Sequence, residues 1–277
     1  MRRPFGLLTC SIFMMLLVSA CNQFAKVQKS KDYDYKLTQA ESYFEKKKYR
    51  YAQVLYEELF PVFKGTAKFE ALYYKYAYCF YHQGFYREAE SLFKGYLEVF
   101  PNSDKAEEVD YQRANCFHKL SPKLELEQVN TLKAMSMMQT FITTHPESER
   151  VKEATEIIEN SRLKLEMKEY RGAQLYFNMG EYKAAALSYS QLLDHYPESV
   201  DADQYKLMVL KSYFRFAKLS VMEKQEERFE KVITEYQDFL DRFPESPLTK
   251  EATEIQEQSI NQLKAIRNEQ TPSSSGS

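Results

Sequence analysis

The sequence contains no tryptophan, and only 7 Gly and 9 Pro among its 277 residues. That scarcity excludes a collagen-like chain and argues against a disordered one. Neither sign of charge dominates: 38 Lys and Arg stand against 40 Asp and Glu, for a formal net charge of −2. A balance this even leaves no basic footprint for nucleic acid. The compact catalytic signatures are missing as well, among them G-x-S-x-G, H-E-x-x-H, the P-loop and the dinucleotide fingerprint. Acidic pairs such as Glu107-Glu108 and Glu226-Glu227 read as solvated helix faces. An enzyme would have to rely on scattered residues, so the expectation is no catalytic residue and no cofactor. Zinc wants three or four ligands. Among His82, His118, His145 and His195, only the first two could face one another, with no third ligand evident. No metal is expected.

What the chain has instead is aromatic: 22 Tyr and 19 Phe. Tyrosine combines an apolar body with a polar tip, which suits helix seams and binding surfaces alike. The length fits one large or two small domains.

The first residues carry an address. Met1-Arg2-Arg3 is a short positive segment, and Phe5 to Val18 is an apolar run of about fourteen residues. That is the size of a secretory signal core and short of the ~20 apolar residues of a spanning helix. Val18-Ser19-Ala20-Cys21 then sets small residues and a cysteine at its end, the arrangement of a bacterial lipobox. Cleavage between Ala20 and Cys21 and lipidation of Cys21 are the expectations. Each buried acyl CH₂ contributes ~0.8 kcal/mol, so two or three chains anchor stably. Asn22, not Asp, follows the cysteine. Under the enterobacterial sorting rule this resembles an outer-membrane lipoprotein. Residues 1–20 are therefore read as signal peptide and 21–32 as a lipid-anchored tether.

A repeat begins after that. Phe100-Pro101-Asn102-Ser103, His145-Pro146-Glu147-Ser148, Tyr196-Pro197-Glu198-Ser199 and Phe243-Pro244-Glu245-Ser246 recur every 45 to 51 residues. Proline pushes the residue before it out of the α region and ends a helix. The Ser, Asn and Asp that follow suit the cap of the next one. Upstream, Gly84-Phe85-Tyr86-Arg87-Glu88-Ala89 and Gly180-Glu181-Tyr182-Lys183-Ala184-Ala185 read G-x-Y-x-x-A. In the first unit Tyr49 and Ala52 repeat the pattern, with Lys47 where glycine stands elsewhere. Glycine permits the tight turn between two helices.

These offsets resemble the tetratricopeptide (TPR) motif, with Gly84, Tyr86, Ala89, Phe93 and Pro101 in one unit and Gly180, Tyr182, Ala185, Tyr189 and Pro197 in another. Ala40, Ala77, Ala114 and Ala173 match its small first-helix position. The expected fold is all-α, a TPR-type helix-pair solenoid of about five repeats with a C-terminal cap helix. The units are read as about 33–64, 68–102, 104–147, 165–198 and 201–246, with the cap at 247–267. Residues 33–147 hold units one to three and 148–267 the rest; 148–164 either extend the fourth unit's first helix or form a separate one. The third unit is interrupted by Leu120 to Gln128. The tail 268–277 is disordered in composition. Cys79 and Cys116 occupy the same position in neighbouring units. Packed helices sit ~8–10 Å apart and a disulfide wants Cα atoms within ~7 Å, so both are expected to be buried free thiols.

In a TPR solenoid the first helices line the concave face. Positions at helical spacing there are Leu37 and Phe44; Tyr74, Tyr78 and Tyr81; Tyr111, Asn115 and His118; and Tyr170, Gln174 and Phe177. Tyr74, Tyr111 and Tyr170 share one motif position. Such a row could grip an extended peptide by stacking and hydroxyl hydrogen bonds, or could pack between adjacent helices.

Lipobox, short tether and five TPR-like units together resemble the BamD family of outer-membrane lipoproteins of the β-barrel assembly machinery. FPNSDKAEEVDYQRANCF and NMGEYKAAALSYSQLLDHYPES resemble its repeat text. KKYRYAQVLYEELFPVFKGT and CFYHQGFYREAESLFKGYLEVFPNS look most like versions from the Bacteroidetes lineage. The resemblance implies a non-enzymatic scaffold on the periplasmic side of the outer membrane. Residues 33–147 would receive unfolded β-barrel clients, and 165–267 would dock POTRA domains of a BamA-like barrel protein. A different periplasmic TPR lipoprotein, serving peptidoglycan hydrolases or cell division, is the alternative, and a lipid-anchored enzyme a weaker one.

Overall fold

A computed structural model describes residues 23–270, all of whose regular elements are helices. The signal peptide, the Ala20–Cys21 cleavage and lipidation site and residues 271–277 lie outside the described residues. After a short helical stretch at 23–28 the helices are α1 (Tyr33–Glu45), α2 (Tyr49–Phe63), α3 (Phe69–His82), α4 (Tyr86–Val99), α5 (Ala106–Lys119) and α6 (Val129–Thr144). Then come α7 (Val151–Asn178), α8 (Tyr182–His195), α9 (Ala202–Lys218), α10 (Met222–Arg242) and α11 (Thr249–Gln270). Consecutive helices pack as pairs. The chain divides into two compact units, up to Ser161 and from Arg162. The boundary falls inside α7, because 148–164 is no separate helix: its helical part runs continuously into the fourth unit's first helix. The helix-pair architecture expected from the sequence holds within each unit.

The pairing has a simple cause. Ala40 and Ala52, Ala77 and Ala89, Ala114 and Ala134, and Ala173 and Ala185 are all essentially inaccessible. Small side chains let two backbones approach, and the larger residues around them fill the seam. In the first unit one core joins Leu55, Leu59, Leu72, Phe93 and Tyr96. A second joins Tyr111, Met138 and Phe141 to Ala154 and Ile157. The second unit buries Tyr189, Leu192 and Val209 together, and separately Leu207, Phe229, Val232, Phe239 and Ala252.

Three of the inter-helix turns follow one geometry. Gly84 and Gly180 both have φ +82°, and Lys47, at the same motif position, has φ +56°. The N–H of Phe85 donates to Phe80 O at 3.0 Å, and Gly84 N–H to Tyr81 O at 3.0 Å. Lys48 and Lys47 repeat this to Tyr43 O (2.8 Å) and Phe44 O (2.9 Å), and Glu181 and Gly180 to Tyr176 O (3.0 Å) and Phe177 O (3.1 Å). This is the Schellman arrangement, whose left-handed residue is normally glycine. Lys47 adopts it with a Cβ, at a cost of roughly 1–2 kcal/mol.

The Pro-x-Ser ends hold a feature the sequence reading missed. The Ser does not cap the following helix in α5 and α9, whose N-cap residues are Lys105 and Asp201. Each Ser Oγ instead accepts from the N–H two residues on: Lys105 (3.0 Å), Arg150 (3.2 Å), Asp201 (3.1 Å) and Leu248 (3.1 Å). It then donates to an acid on the first helix of the pair that it follows. Ser103 reaches Glu70 at 2.6 Å, Ser148 reaches Glu107 at 2.5 Å, Ser199 reaches Glu166, and Ser246 reaches Asp203 at 2.6 Å. Each acid stands one helical turn before Tyr74, Tyr111, Tyr170 and Leu207 respectively. A latch therefore closes four successive helix pairs.

The segment 21–32, expected as a tether, is partly ordered structure. Val27 is 1% exposed and joins the first core. The Phe24 ring lies 4.6 Å from that of Tyr51 and 5.8 Å from that of Tyr43. Buried Lys36 donates to Gln28 O at 2.8 Å and to Glu58 at 2.7 Å, and Gln28 also donates to Glu58 at 3.1 Å.

Candidate functional site

On α1, Leu37 and Phe44 lie two turns apart; on α3, Tyr74, Tyr78 and Tyr81 follow at intervals of one turn. The structure brings most of these rings into one row in the first unit. Tyr74 and Tyr78 have centroids 4.6 Å apart, and Tyr78 and Tyr81 6.1 Å. Phe44 meets Tyr49 edge-on at 5.5 Å, and Tyr49 stacks on His82 at 4.4 Å. His82 in turn lies 5.6 Å from Tyr78. Each such contact contributes about 0.5–1.5 kcal/mol beyond its area. Tyr49 and His82 were not singled out for this surface from the sequence, because one opens a second helix and the other ends a first one.

Exposure separates the candidates. Leu37, Phe44, Tyr74 and Tyr81 are half-buried, and Tyr78 shows only 8% of its surface. Tyr111 is fully buried. Its ring sits 5.5 Å from Phe141, under the Arg150 guanidinium at 4.5 Å. Its place is in the core, so it offers nothing to a peptide in this conformation. In the second unit Tyr170 and Phe177 are half-buried, Tyr170 lying 5.7 Å from Tyr205 and Phe177 5.2 Å from Tyr182.

The row is aromatic and uncharged, with fixed hydroxyls. Tyr78 Oη donates to Glu108 at 2.7 Å, and Asn115 Nδ2 donates to Tyr81 Oη at 3.0 Å. The Lys105 ammonium lies over the Tyr74 ring at 5.0 Å. Burial raises the pKa of Tyr74, Tyr78 and Tyr81, the last to about 12, so all three remain protonated. Burial, with Lys47 nearby, lowers that of His82 and favours its neutral form. Ion pairs Lys68–Asp34 (2.7 Å) and Lys75–Glu41 (3.0 Å) link α3 to α1.

Such a surface offers apolar and aromatic contact area, with the Tyr78 and Tyr81 hydroxyls already hydrogen-bonded. Cys79 and Cys116 are buried and unbridged, and burial pushes both thiols up, Cys116 to about 12. Neither supplies a thiolate nucleophile. Among the described residues no group of three His, Cys, Asp or Glu side chains could hold a metal ion, and no helix is long and apolar enough to cross a membrane.

Solved structures that the chain resembles include two that contain TPR domains. The "TPR2AB-domain:pHSP90-complex of yeast Sti1" is 13% identical, with a TM-score of 0.38, over 82% of this chain and 98% of that one. The TPR domain of P58(IPK) is 14% identical, with a TM-score of 0.38, over 91% of this chain and 68% of that one. Comparison with curated proteins finds no match. The family model "YfiO: Outer membrane lipoprotein" matches residues 28–228, which takes in the aromatic row, the Gly84 and Gly180 turns and three of the four Ser–acid latches. The chain is a member of the YfiO family of outer membrane lipoproteins, the BamD-like family that its repeats resemble.

Proposed function

We propose that the chain is a lipid-anchored scaffold of outer-membrane β-barrel assembly, held through Cys21 on the periplasmic side. Its first unit receives segments of unfolded barrel proteins, and its C-terminal repeats dock POTRA domains of a BamA-like partner. The observation that carries the reading is the half-buried aromatic row of Phe44, Tyr74 and Tyr81, with Leu37 two turns before Phe44 on the same helix. The terminal strands of barrel proteins alternate apolar and polar residues, and an uncharged aromatic face suits the apolar side of such a strand. Family membership supports the outer-membrane location. The resemblance of the first two repeats to Bacteroidetes versions supports a role in that lineage's machinery.

The test is affinity capture from detergent-solubilised membranes. A POTRA-containing barrel protein recovered in near-stoichiometric amount is the expected result; recovery of cell-wall enzymes alone would sink the reading. For the row, Phe44→Ala with Tyr74→Ala should weaken binding of a barrel-protein C-terminal peptide about tenfold or more, as loss of aromatic anchors does. Unchanged affinity with an intact fold would remove the row from the client site.

A further inference from the structure

Three features meet at the start of the described chain. Phe24 and Val27 pin the helical stretch 23–28 into the first core. Lys26, Lys29 and Lys31 are exposed and have no ion-pair partner among the described residues. Immediately after them Tyr33 and Tyr35 stand 48% and 46% exposed, two residues apart in α1's first turn.

We infer that this lysine–tyrosine collar is a membrane-contact surface that lies on anionic lipid headgroups. The inference rests on lipidation at Cys21. Only Asn22 separates that cysteine from the docked helical stretch, so the anchor has almost no slack. Residues 23–28 rise by ~7–8 Å along a helix axis, about one Debye length at physiological salt. Ammonium groups at that distance feel the negative surface potential, and tyrosine rings are the side chains that favour the headgroup layer. A flexible tether would have left the collar's orientation open. A docked one holds Lys26, Lys29 and Lys31 beside the lipid and gives the first unit a set face toward the membrane.

The absence of tryptophan supplies the probe. The lipidated full-length chain carrying Tyr33→Trp or Tyr35→Trp is reconstituted into vesicles of phosphatidylethanolamine and phosphatidylglycerol with headgroup-region quenchers. Phe85→Trp, 50% exposed in the α3–α4 turn, is the reference. At 33 and 35 the emission is expected to shift to the blue and to be quenched, and at 85 to stay unquenched. Lys26→Gln, Lys29→Gln and Lys31→Gln together should release the collar, with surface partition falling by about fivefold per charge. In phosphatidylcholine vesicles that triple substitution should change nothing. Protein that floats with vesicles but is unquenched at 33 and 35, or quenched equally at 85, overturns the inference and leaves the anchor standing. Protein that fails to float overturns the anchor and the inference with it.

Discussion

The Ser103 hydroxyl donates to Glu70 at 2.6 Å, tying the end of one helix pair to its beginning. The Tyr96 hydroxyl joins both partners, at 2.9 Å from Glu70 and 2.8 Å from Ser103. The Ser103 hydrogen bond, followed by that of Tyr96, holds the Glu70 carboxyl below its usual 4.5.

Ser103→Ala should therefore cost about 1 kcal/mol, measured by urea unfolding, and a double-mutant cycle with Glu70→Gln should show coupling of similar size. The pH dependence has a definite sign. Glu70 binds its proton less tightly folded than unfolded, so its contribution is complete above about pH 4.5 and fades as pH falls through the lower folded value. The gap between wild type and Ser103→Ala should shrink over that range. A gap that stays constant into strong acid would show that the latch is not ionic.

Lys47 occupies a glycine's place at φ +56°. Lys47→Gly should raise stability by about 1 kcal/mol through relief of the left-handed backbone. Gly84→Ala and Gly180→Ala should each lose about 1–2 kcal/mol for the same reason. Crowding is no part of it, because an added Cβ at either glycine meets nothing within 4 Å. Shifted urea midpoints with an unchanged slope would identify each effect as a change in stability alone.

Tyr56 and Tyr189 place buried hydroxyls where no partner is found among the described residues. Both stand four residues after the motif alanine, at Ala52 and Ala185, where the second pair has Phe93 after Ala89. Tyr56→Phe and Tyr189→Phe should hold or raise stability, by up to about 1 kcal/mol each, since an unmade buried hydrogen bond is removed. Thermal unfolding checks this. A clear loss would mean that the hydroxyl is satisfied in solution.

Much of the fold was legible because its signals are local. Gly84 and Gly180 announce a backbone conformation, Pro101 and its counterparts a helix end, and the alanines a close approach. The Ser–acid latches were not legible. Glu70 looks like any acid in a first helical turn and Glu166 like any acid along a long helix, and each has its partner 33 residues away. Residues 23–28 read as a tether because only Phe24 and Val27 face inward, too few to form a period. Nor could spacing separate Tyr74 from Tyr111, which share a motif position. What separates them is the next element: the first turns of α7 bring Ala154 and Ile157 into the core around Tyr111.

The latches also explain how the repeat tolerates irregular text. The distance along the chain between serine and acid is 33, 41, 33 and 43 residues in successive cases, yet the bond is the same. Closure by a chemical clasp, and not by a fixed residue count, leaves the connecting tips free to lengthen. Insertions such as Leu120 to Gln128 can then be acquired and remodelled as separate recognition elements while the pair beneath them stays shut.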